Sequence, residues 1–381
     1  MRELRDILGA LAAFRARGEQ AALATVVRVR GSTYRREGAR LLIHPDGRTT
    51  GSISGGCLEG DAAEVAREVI QSGQPRLVTY DLMSGDDTVW GLGLGCNGVI
   101  DVFIERVSPA PESPLDGCDL VALFRDAVER RRTVALATVV AAPPGGPALG
   151  ARLVVPAEGG VRGSFGDAGL DARVAAAARA QVRAGGASTV SVEMPTGRGE
   201  VFIEVIAPPL PLLVCGAGHD AIPLVRLAHE LGWWVTVADR RPAYATRERF
   251  PEADDVIVAE DPEIPHKTRV DRDTFAVVMT HNFLHDLAIL RALLGTPARY
   301  IGLLGPRART DKLLAELEKA GVRLDDRERA RLYGPVGLDV GAESPEEIAL
   351  SILTEIQAVR SGRRVASLRN RRGSIHAPVA S

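Results

Sequence analysis

Near the N-terminus the stretch Ala22-Leu23-Ala24-Thr25-Val26-Val27 recurs as Ala135-Leu136-Ala137-Thr138-Val139-Val140, and no other feature constrains the fold as tightly. Gly38-Ala39-Arg40-Leu41 returns as Gly150-Ala151-Arg152-Leu153. From there a constant offset of 112 positions pairs Gly51-Ser52 with Gly163-Ser164 and Gly73 with Gly185. Val102-Phe103-Ile104-Glu105 closes the first copy as Val201-Phe202-Ile203-Glu204 closes the second. Chance does not hold one register over such a span. Residues 1–207 are therefore read as one α/β domain of two repeated halves, with copies at about 19–107 and 132–206. Each copy strings together runs of Val, Leu and Ile, a turn such as Pro45-Asp46-Gly47, a helix (about Leu58 to Gln71 in the first) and further strands. An amphipathic helix carrying Leu4, Ile7, Leu8, Leu11 and Phe14 precedes the first copy and ends at Gly18. Pro109 to Pro114 separates the copies.

Ala207-Pro208-Pro209-Leu210-Pro211 marks a second boundary, and residues 208–381 change to alternating strands and helices, the pattern of a parallel sheet covered on both faces. Leu212 to Cys215 is a short apolar strand. Gly216-Ala217-Gly218-His219-Asp220-Ala221 follows at once and opens a helix, and the next strand, Trp233 to Ala238, ends in Asp239. A Gly-x-Gly-x-x-Ala turn in that setting is a Rossmann-type dinucleotide fingerprint: Gly216 makes the tight turn, Gly218 lets backbone approach a pyrophosphate, and His219 lies in the same turn. Asp239 is placed to accept hydrogen bonds from a ribose, while Arg240 and Arg241 beside it would favour an extra phosphate, so NAD(P) and other nucleotides stay open. Val256 to Ala259, Phe275 to Thr280 and Tyr300 to Leu304 are further buried strands. Thr280-His281-Asn282-Phe283-Leu284-His285-Asp286 follows one of them, where open α/β sheets place ligands, so His281 and Asp286 serve either a site or the next helix cap. The last helix opens with Ser344 as N-cap, Pro345 at N1 and Glu346 and Glu347 in the first turn. A basic tail closes the chain.

The first copy carries two Gly-rich loops with a thiol each: Gly51-Ser52-Ile53-Ser54-Gly55-Gly56-Cys57-Leu58-Glu59-Gly60, and Trp90-Gly91-Leu92-Gly93-Leu94-Gly95-Cys96-Asn97-Gly98. Helix N-termini attract anions and activate thiols, and glycines at such spacing bring backbone close to a ligand. The duplication supplies a control. Cys57 corresponds to Gly169, and Gly55-Gly56 to Asp167-Ala168; Gly73 to Val102 spans 29 positions where Gly185 to Val201 spans 16. A half-domain that forms without these loops does not need them for folding. Cys118 and Cys215 have no such setting and are read as structural, and Arg28, Arg30, Arg35 and Arg36 as solvated surface.

A length of 381 residues exceeds what one core serves. A net charge of -2 gives no global pull toward nucleic acid or an anionic membrane, which leaves small molecules and proteins as partners. No apolar run approaches the roughly 20 residues a bilayer requires. The four cysteines form no Cys-x-x-Cys pair, which together with the absence of an export signal points to a reducing cytoplasm.

These motifs together resemble the xanthine dehydrogenase accessory factors of the XdhC/CoxI family. The likeness rests on Gly31 to Glu59, on Gly91-Leu92-Gly93-Leu94-Gly95-Cys96, on Cys215-Gly216-Ala217-Gly218-His219, and on Gly334-Pro335-Val336-Gly337-Leu338-Asp339-Val340-Gly341 with Ser344-Pro345-Glu346-Glu347-Ile348. The resemblance implies a chaperone that binds molybdenum cofactor, supports its sulfuration with a cysteine desulfurase and inserts it into a molybdenum hydroxylase client, with a homo-oligomer open. Gly55, Gly56, Cys57, Glu59, Gly93, Gly95 and Cys96 would then contact the cofactor, Cys57 and Cys96 as molybdenum or persulfide contacts. Gly216, Gly218, His219 and Asp239 would hold a nucleotide. Two other readings stand beside it: an NAD(P)-dependent oxidoreductase, motivated by the fingerprint, and a protein-binding adaptor with an empty Rossmann domain.

Overall fold

The computed structural model describes residues 2–81, 98–108 and 119–370, and divides into two compact units between Pro208 and Pro209. The second Gly-rich loop with Gly93, Gly95 and Cys96 lies outside the described residues, as do Cys118, the Pro109 to Pro114 stretch, and Arg371 and Arg372 of the tail.

In the N-terminal unit, helix α1 (Arg2–Arg17) precedes strands β1 (Ala21–Gly31), β2 (Arg40–Ile43) and β3 (Thr49–Gly51), helix α2 (Glu59–Ser72), and strands β4 (Arg76–Asp81) and β5 (Gly98–Val107). After α3 (Leu120–Glu129) the pattern repeats as β6 (Val134–Ala141), β7 (Arg152–Pro156), β8 (Arg162–Gly163), α4 (Ala168–Ala184), β9 (Ala187–Met194) and β10 (Gly197–Ile206). The two antiparallel sheets have matching orders, β3-β2-β1-β5-β4 and β8-β7-β6-β10-β9. Even the irregularities correspond: a register shift at Val27 between β1 and β5 is matched by one at Val140 between β6 and β10.

Side-chain alternation decides what each face covers. Ala22, Ala24 and Val26 of β1 join Ala62, Ala66 and Val69 of α2 in one core, and Ala135, Ala137 and Val139 join Val174 and Ala178 of α4 in its counterpart. The opposite faces meet each other: Val27 and Phe103 pack against Val140 and Phe202. Here the duplicated halves exchange charges across a local two-fold relation. Arg40 of the first copy pairs with Glu204 of the second, and Arg152 of the second with Glu105 of the first. Arg40 and Glu204 are both buried, and the Arg40 guanidinium also lies over the Phe124 ring of α3, 4.8 Å from its centroid. Arg28 differs from the expected solvated surface, since it is only partly exposed and bonds both Asp101 and, at 2.7 Å, Glu200, whereas Arg30 is exposed as expected and meets the buried Asp101 from the solvent side. Arg35 likewise pairs with Glu3 of α1. Two arginines of β1 thus neutralise Asp101 of β5 and Glu200 of β10.

The C-terminal unit holds β11 (Pro211–Cys215), α5 (Ala221–Glu230), β12 (Trp234–Asp239), β13 (Asp255–Val258), α6 (Ile264–Lys267), β14 (Phe275–Val278) and α7 (Phe283–Leu294). It continues with β15 (Tyr300–Leu303), α8 (Arg307–Lys319), α9 (Asp326–Ala330), β16 (Leu332–Tyr333) and α10 (Pro345–Ser361). Its six strands run parallel in the order β13-β12-β11-β14-β15-β16, so the order reverses beside β11 and a crevice opens at the strand ends there. Leu212, Val214, Val235 and Val277 face α5 and α10, while Leu213, Cys215, Ala276 and Val278 face α7 and α8. Burial on both faces is why these strands read as continuous apolar runs rather than alternating ones. Cys215, fully buried, has its thiol pushed far up by desolvation and is structural. Ser344 caps α10 as its sequence suggests, and Glu347 completes a capping box by accepting from the Ser344 N–H at 2.9 Å.

Candidate functional site

In the first copy, α2 begins only at Glu59, whereas α4 begins at Ala168, the equivalent of Gly56. The second copy continues as helix where the first unwinds to set out Gly56 and Cys57. Gly56 takes φ +111°, which an L side chain tolerates poorly, and the space its Cβ would occupy is open. What holds the unwound turn is Ser54, whose hydroxyl oxygen accepts from the N–H groups of Gly56, Cys57 and Leu58 at 3.0, 3.1 and 3.2 Å. The same hydroxyl donates to Glu59, whose carboxylate accepts further from the Ile53, Ser54 and Leu58 N–H groups. Burial presses the Glu59 carboxyl upward, but the bonds from Ser54 and from these amides outweigh it and hold it below its ordinary range.

Glu59 therefore faces its own backbone as a brace. Its counterpart Asp171 does the same in the second copy, accepting from Phe165 N–H at 2.8 Å and from Ser164 Oγ at 2.6 Å. The carboxylate brace belongs to the fold; Ser54, Gly56 and Cys57 are what the first copy adds to it. Cys57 is half-buried, its side chain bordering the α2 core. Gly55 lies beside the ring of Tyr34, which is 71% exposed. The segment that carries Tyr34 also meets Gly98, where an added Cβ would lie 2.6 to 2.9 Å from Thr33 and the Arg30 and Ser32 carbonyls. Gly98 stands two positions after Cys96 in the chain. Residues 31–34 thus touch the thiol loop on one side and the strand that follows the second Gly-rich loop on the other. Among the described residues no cluster of three metal-ligating side chains occurs.

In the C-terminal unit Gly216 has φ +116°, and a Cβ there would lie 2.7 Å from the Met279 carbonyl oxygen, so the turn closes tightly on the end of β14. Gly218 is half-buried and His219 exposed in the same turn. Asp239, expected at a ribose, is already occupied. Its Oδ1 accepts from the Arg241 N–H at 2.8 Å and Nε at 2.9 Å, and its Oδ2 from the Ala217 N–H and Arg241 Nη2, both at 2.7 Å. Desolvation raises this carboxyl and the bonds from Arg241 and Ala217 lower it, with the lowering in excess. A depressed folded-state pKa contributes stability that is present above the unfolded value and is lost as pH falls through the folded one. Acid unfolding of the C-terminal unit below about pH 4 is therefore expected to be shallower in Asp239→Asn, followed by circular dichroism; an unchanged acid limb would count against this pair.

The loop after β14 divides its tasks in a way the sequence left open. Asn282 caps α7 by accepting from the Leu284 and His285 N–H groups. Asp286, 2% exposed, bonds Thr280 at 2.5 Å and Arg309 of α8 at 2.6 Å, and so locks the loop. His281 adopts φ +60°, rare for a residue with a side chain, and its Nε2 meets Asp220 Oδ2 at 2.7 Å, tying β14 to the glycine turn. His285 Nδ1 meets Asp261 at 2.6 Å. Neither His–Asp pair is visible in the sequence, because the partners lie 61 and 24 positions away. The fourth motif goes to packing: Val336 fits over Gly302, and Ser351 of α10 donates to the Leu338 carbonyl at 2.6 Å.

A duplicated thiol-bearing unit and a Rossmann unit in one chain narrow the class of protein. The chain matches the XdhC and CoxI family over residues 14–81 and 127–193, one stretch in each repeat, and the XdhC Rossmann domain over residues 212–356. It is 34% identical to a probable xanthine dehydrogenase subunit of Bacillus subtilis (strain 168), covering 91% of this chain and 95% of that protein. It is 25% identical to the molybdenum cofactor insertion chaperone PaoD of Escherichia coli (strain K12), over 90% and 84%. The crystal structure of a xanthine dehydrogenase from Bacillus halodurans superposes with a TM-score of 0.74 at 32% identity, covering 96% of this chain and 98% of that one. The chain belongs to the XdhC and CoxI family. Among the described residues no helix is long and apolar enough to cross a membrane.

Proposed function

We propose that the protein is a molybdenum cofactor chaperone that binds the cofactor as cargo, supports its sulfuration and delivers it to a xanthine dehydrogenase-like molybdenum hydroxylase. The observation that carries this reading is the turn of helix given up in the first copy to present Cys57 where the second copy stays helical. A soft thiolate suits molybdenum, and the open space at Gly56 leaves room for a bulky ligand. Ser54 and Glu59 hold the loop in shape, and Cys96 with Gly93 and Gly95 completes the proposed contact set from the second loop. The relative named as a molybdenum cofactor insertion chaperone supports the same reading. A cysteine desulfurase is the sulfur-donating partner and the cytoplasm the compartment in this scheme, and the Rossmann unit holds a nucleotide, either the cofactor's own tail or NAD(P).

Purification after co-expression with a cofactor source tests it directly, with bound molybdopterin measured per chain. Cys57→Ala is expected to lower occupancy at least about tenfold, equivalent to 1.4 kcal/mol or more of binding energy, with the unfolding midpoint unchanged. Equal occupancy in wild type, Cys57→Ala and Cys96→Ala would remove the thiol site.

A further inference from the structure

The crevice at the strand-order reversal contains a cavity of about 260 Å³ whose lining includes Gly216, Arg240, Arg241, Ile264, His285 and Ile289. Its position against the fingerprint glycine and the end of β12 is where a dinucleotide's ribose and base sit in this fold. In this fold the ribose diol is ordinarily held by an acidic side chain at the end of the second strand, which must have acceptor positions to spare. A carboxylate has about four, and all four on Asp239 are filled, three of them by Arg241. The same lining offers two guanidinium groups, while its second carboxylate, Asp261, is turned to His285. Arg241 is fixed by Asp239 and stacked on the Tyr244 ring, 3.9 Å from its centroid, with 44% of its side chain exposed. Arg240 approaches His285 Nε2 at 3.3 Å, while His285 Nδ1 meets Asp261. With the proton on Nδ1, bonding Asp261, the Nε2 lone pair faces Arg240, a contact that leaves the guanidinium charge uncancelled. Its carboxylate neighbour, Glu260, stands 3.6 Å away and 63% exposed, where ion pairs are weak.

We propose that this cavity selects a nucleotide bearing a phosphomonoester on its ribose, of the 2′-phosphoadenosine class found in NADP(H), over the same nucleotide with a free diol. Arg240 and the exposed edge of Arg241 take the phosphate oxygens, the geometry in which guanidinium groups excel. Ile264 and Ile289 supply apolar surface in the same space. Asp239 is a positioning residue, holding Arg241 rather than the ribose. The proposal rests on reading the Rossmann unit as nucleotide-binding, and is independent of cargo binding at Cys57.

Calorimetry on the full chain separates the terms, using 2′,5′-ADP, 5′-AMP and inorganic phosphate as probes. The expected result is 2′,5′-ADP binding about 100-fold more tightly than 5′-AMP, with a preference that weakens as salt rises. Arg240→Ala should cut the ratio about tenfold and Arg240→Lys should restore part of it. Arg241→Ala frees Asp239 and should move the preference toward 5′-AMP; should that variant fail to fold, Arg240→Ala, whose side chain sits at the surface, still decides. Equal or tighter binding of 5′-AMP by the wild type overturns the selectivity while leaving nucleotide binding intact. Binding of neither nucleotide overturns the nucleotide reading itself, and inorganic phosphate competing as well as 2′,5′-ADP reduces the cavity to a plain anion site.

Discussion

Glu204→Gln is expected to destabilise the N-terminal unit by about 3–5 kcal/mol, the usual cost of leaving a buried charge without its partner. The side chains of Arg40 and Glu204 are 9% and 7% exposed and sit where the two repeated sheets meet, so water cannot replace the lost carboxylate. For a unit of this size the loss lowers the unfolding midpoint by roughly 10 °C. The reciprocal pair, Arg152 with Glu105, keeps slightly more solvent, its side chains 14% and 12% exposed, and Glu105→Gln should cost less. Replacing both members, as Arg40→Met with Glu204→Leu, should recover most of the stability, because a buried ion pair exchanged for packed hydrocarbon is often neutral or better. Thermal unfolding of the single and double variants checks this. A single substitution costing under about 1 kcal/mol would mean the pair is solvated or mobile in solution.

The residues of that pair stand in the sequence twice over, but their pairing does not. Gly38-Ala39-Arg40-Leu41 and Gly150-Ala151-Arg152-Leu153 each place an arginine in an apolar strand, and both Phe-Ile-Glu endings place a glutamate in another. Those matches established the repeat, and the structure adds that each arginine finds the glutamate of the other copy. Periodicity gives no depth, however, so nothing in one strand tells Arg40 that its glutamate lies 164 positions away. The Ser344 cap was legible because it depends on neighbours in sequence, and the strands were placed to within one or two residues at each end. The parallel sheet was legible too, since Leu212 to Cys215 and Phe275 to Val278 are apolar on both faces, although the second strand ends two residues before Thr280, where the chain turns into the loop that Asp286 holds. Asp239 shows the opposite case. The fingerprint fixes its position at the end of β12, but whether its oxygens are free depends on the rotamer of Arg241, two residues on, and spacing does not encode rotamers.

A loss of function as large as that from removing the thiol is expected from rewriting the thiol loop in the language of its own duplicate. With Ser54→Gly, Gly55→Asp and Gly56→Ala, and Cys57 retained, the first copy acquires the residues that let α4 start early. The introduced aspartate is placed to cap the Leu58 N–H as Asp167 caps that of Leu170 at 2.6 Å, and the alanine suits helix where Gly56 held φ +111°. Removing a helical glycine gains about 0.5–1 kcal/mol and the new cap about 1 kcal/mol, while loss of the Ser54 network costs a similar amount, so stability should stay within roughly 1 kcal/mol of wild type. Cofactor occupancy is expected to fall by about tenfold or more even though the sulfur is still present, because the thiol now rides on a helix instead of an unwound, Ser54-held turn. Adding Cys57→Gly should lower it little further. Amide exchange at Gly56, Cys57 and Leu58 would report whether the helix has extended. A variant that extends the helix, keeps its stability and still carries a full complement of molybdopterin would show that the shape of this turn has no part in holding the cargo.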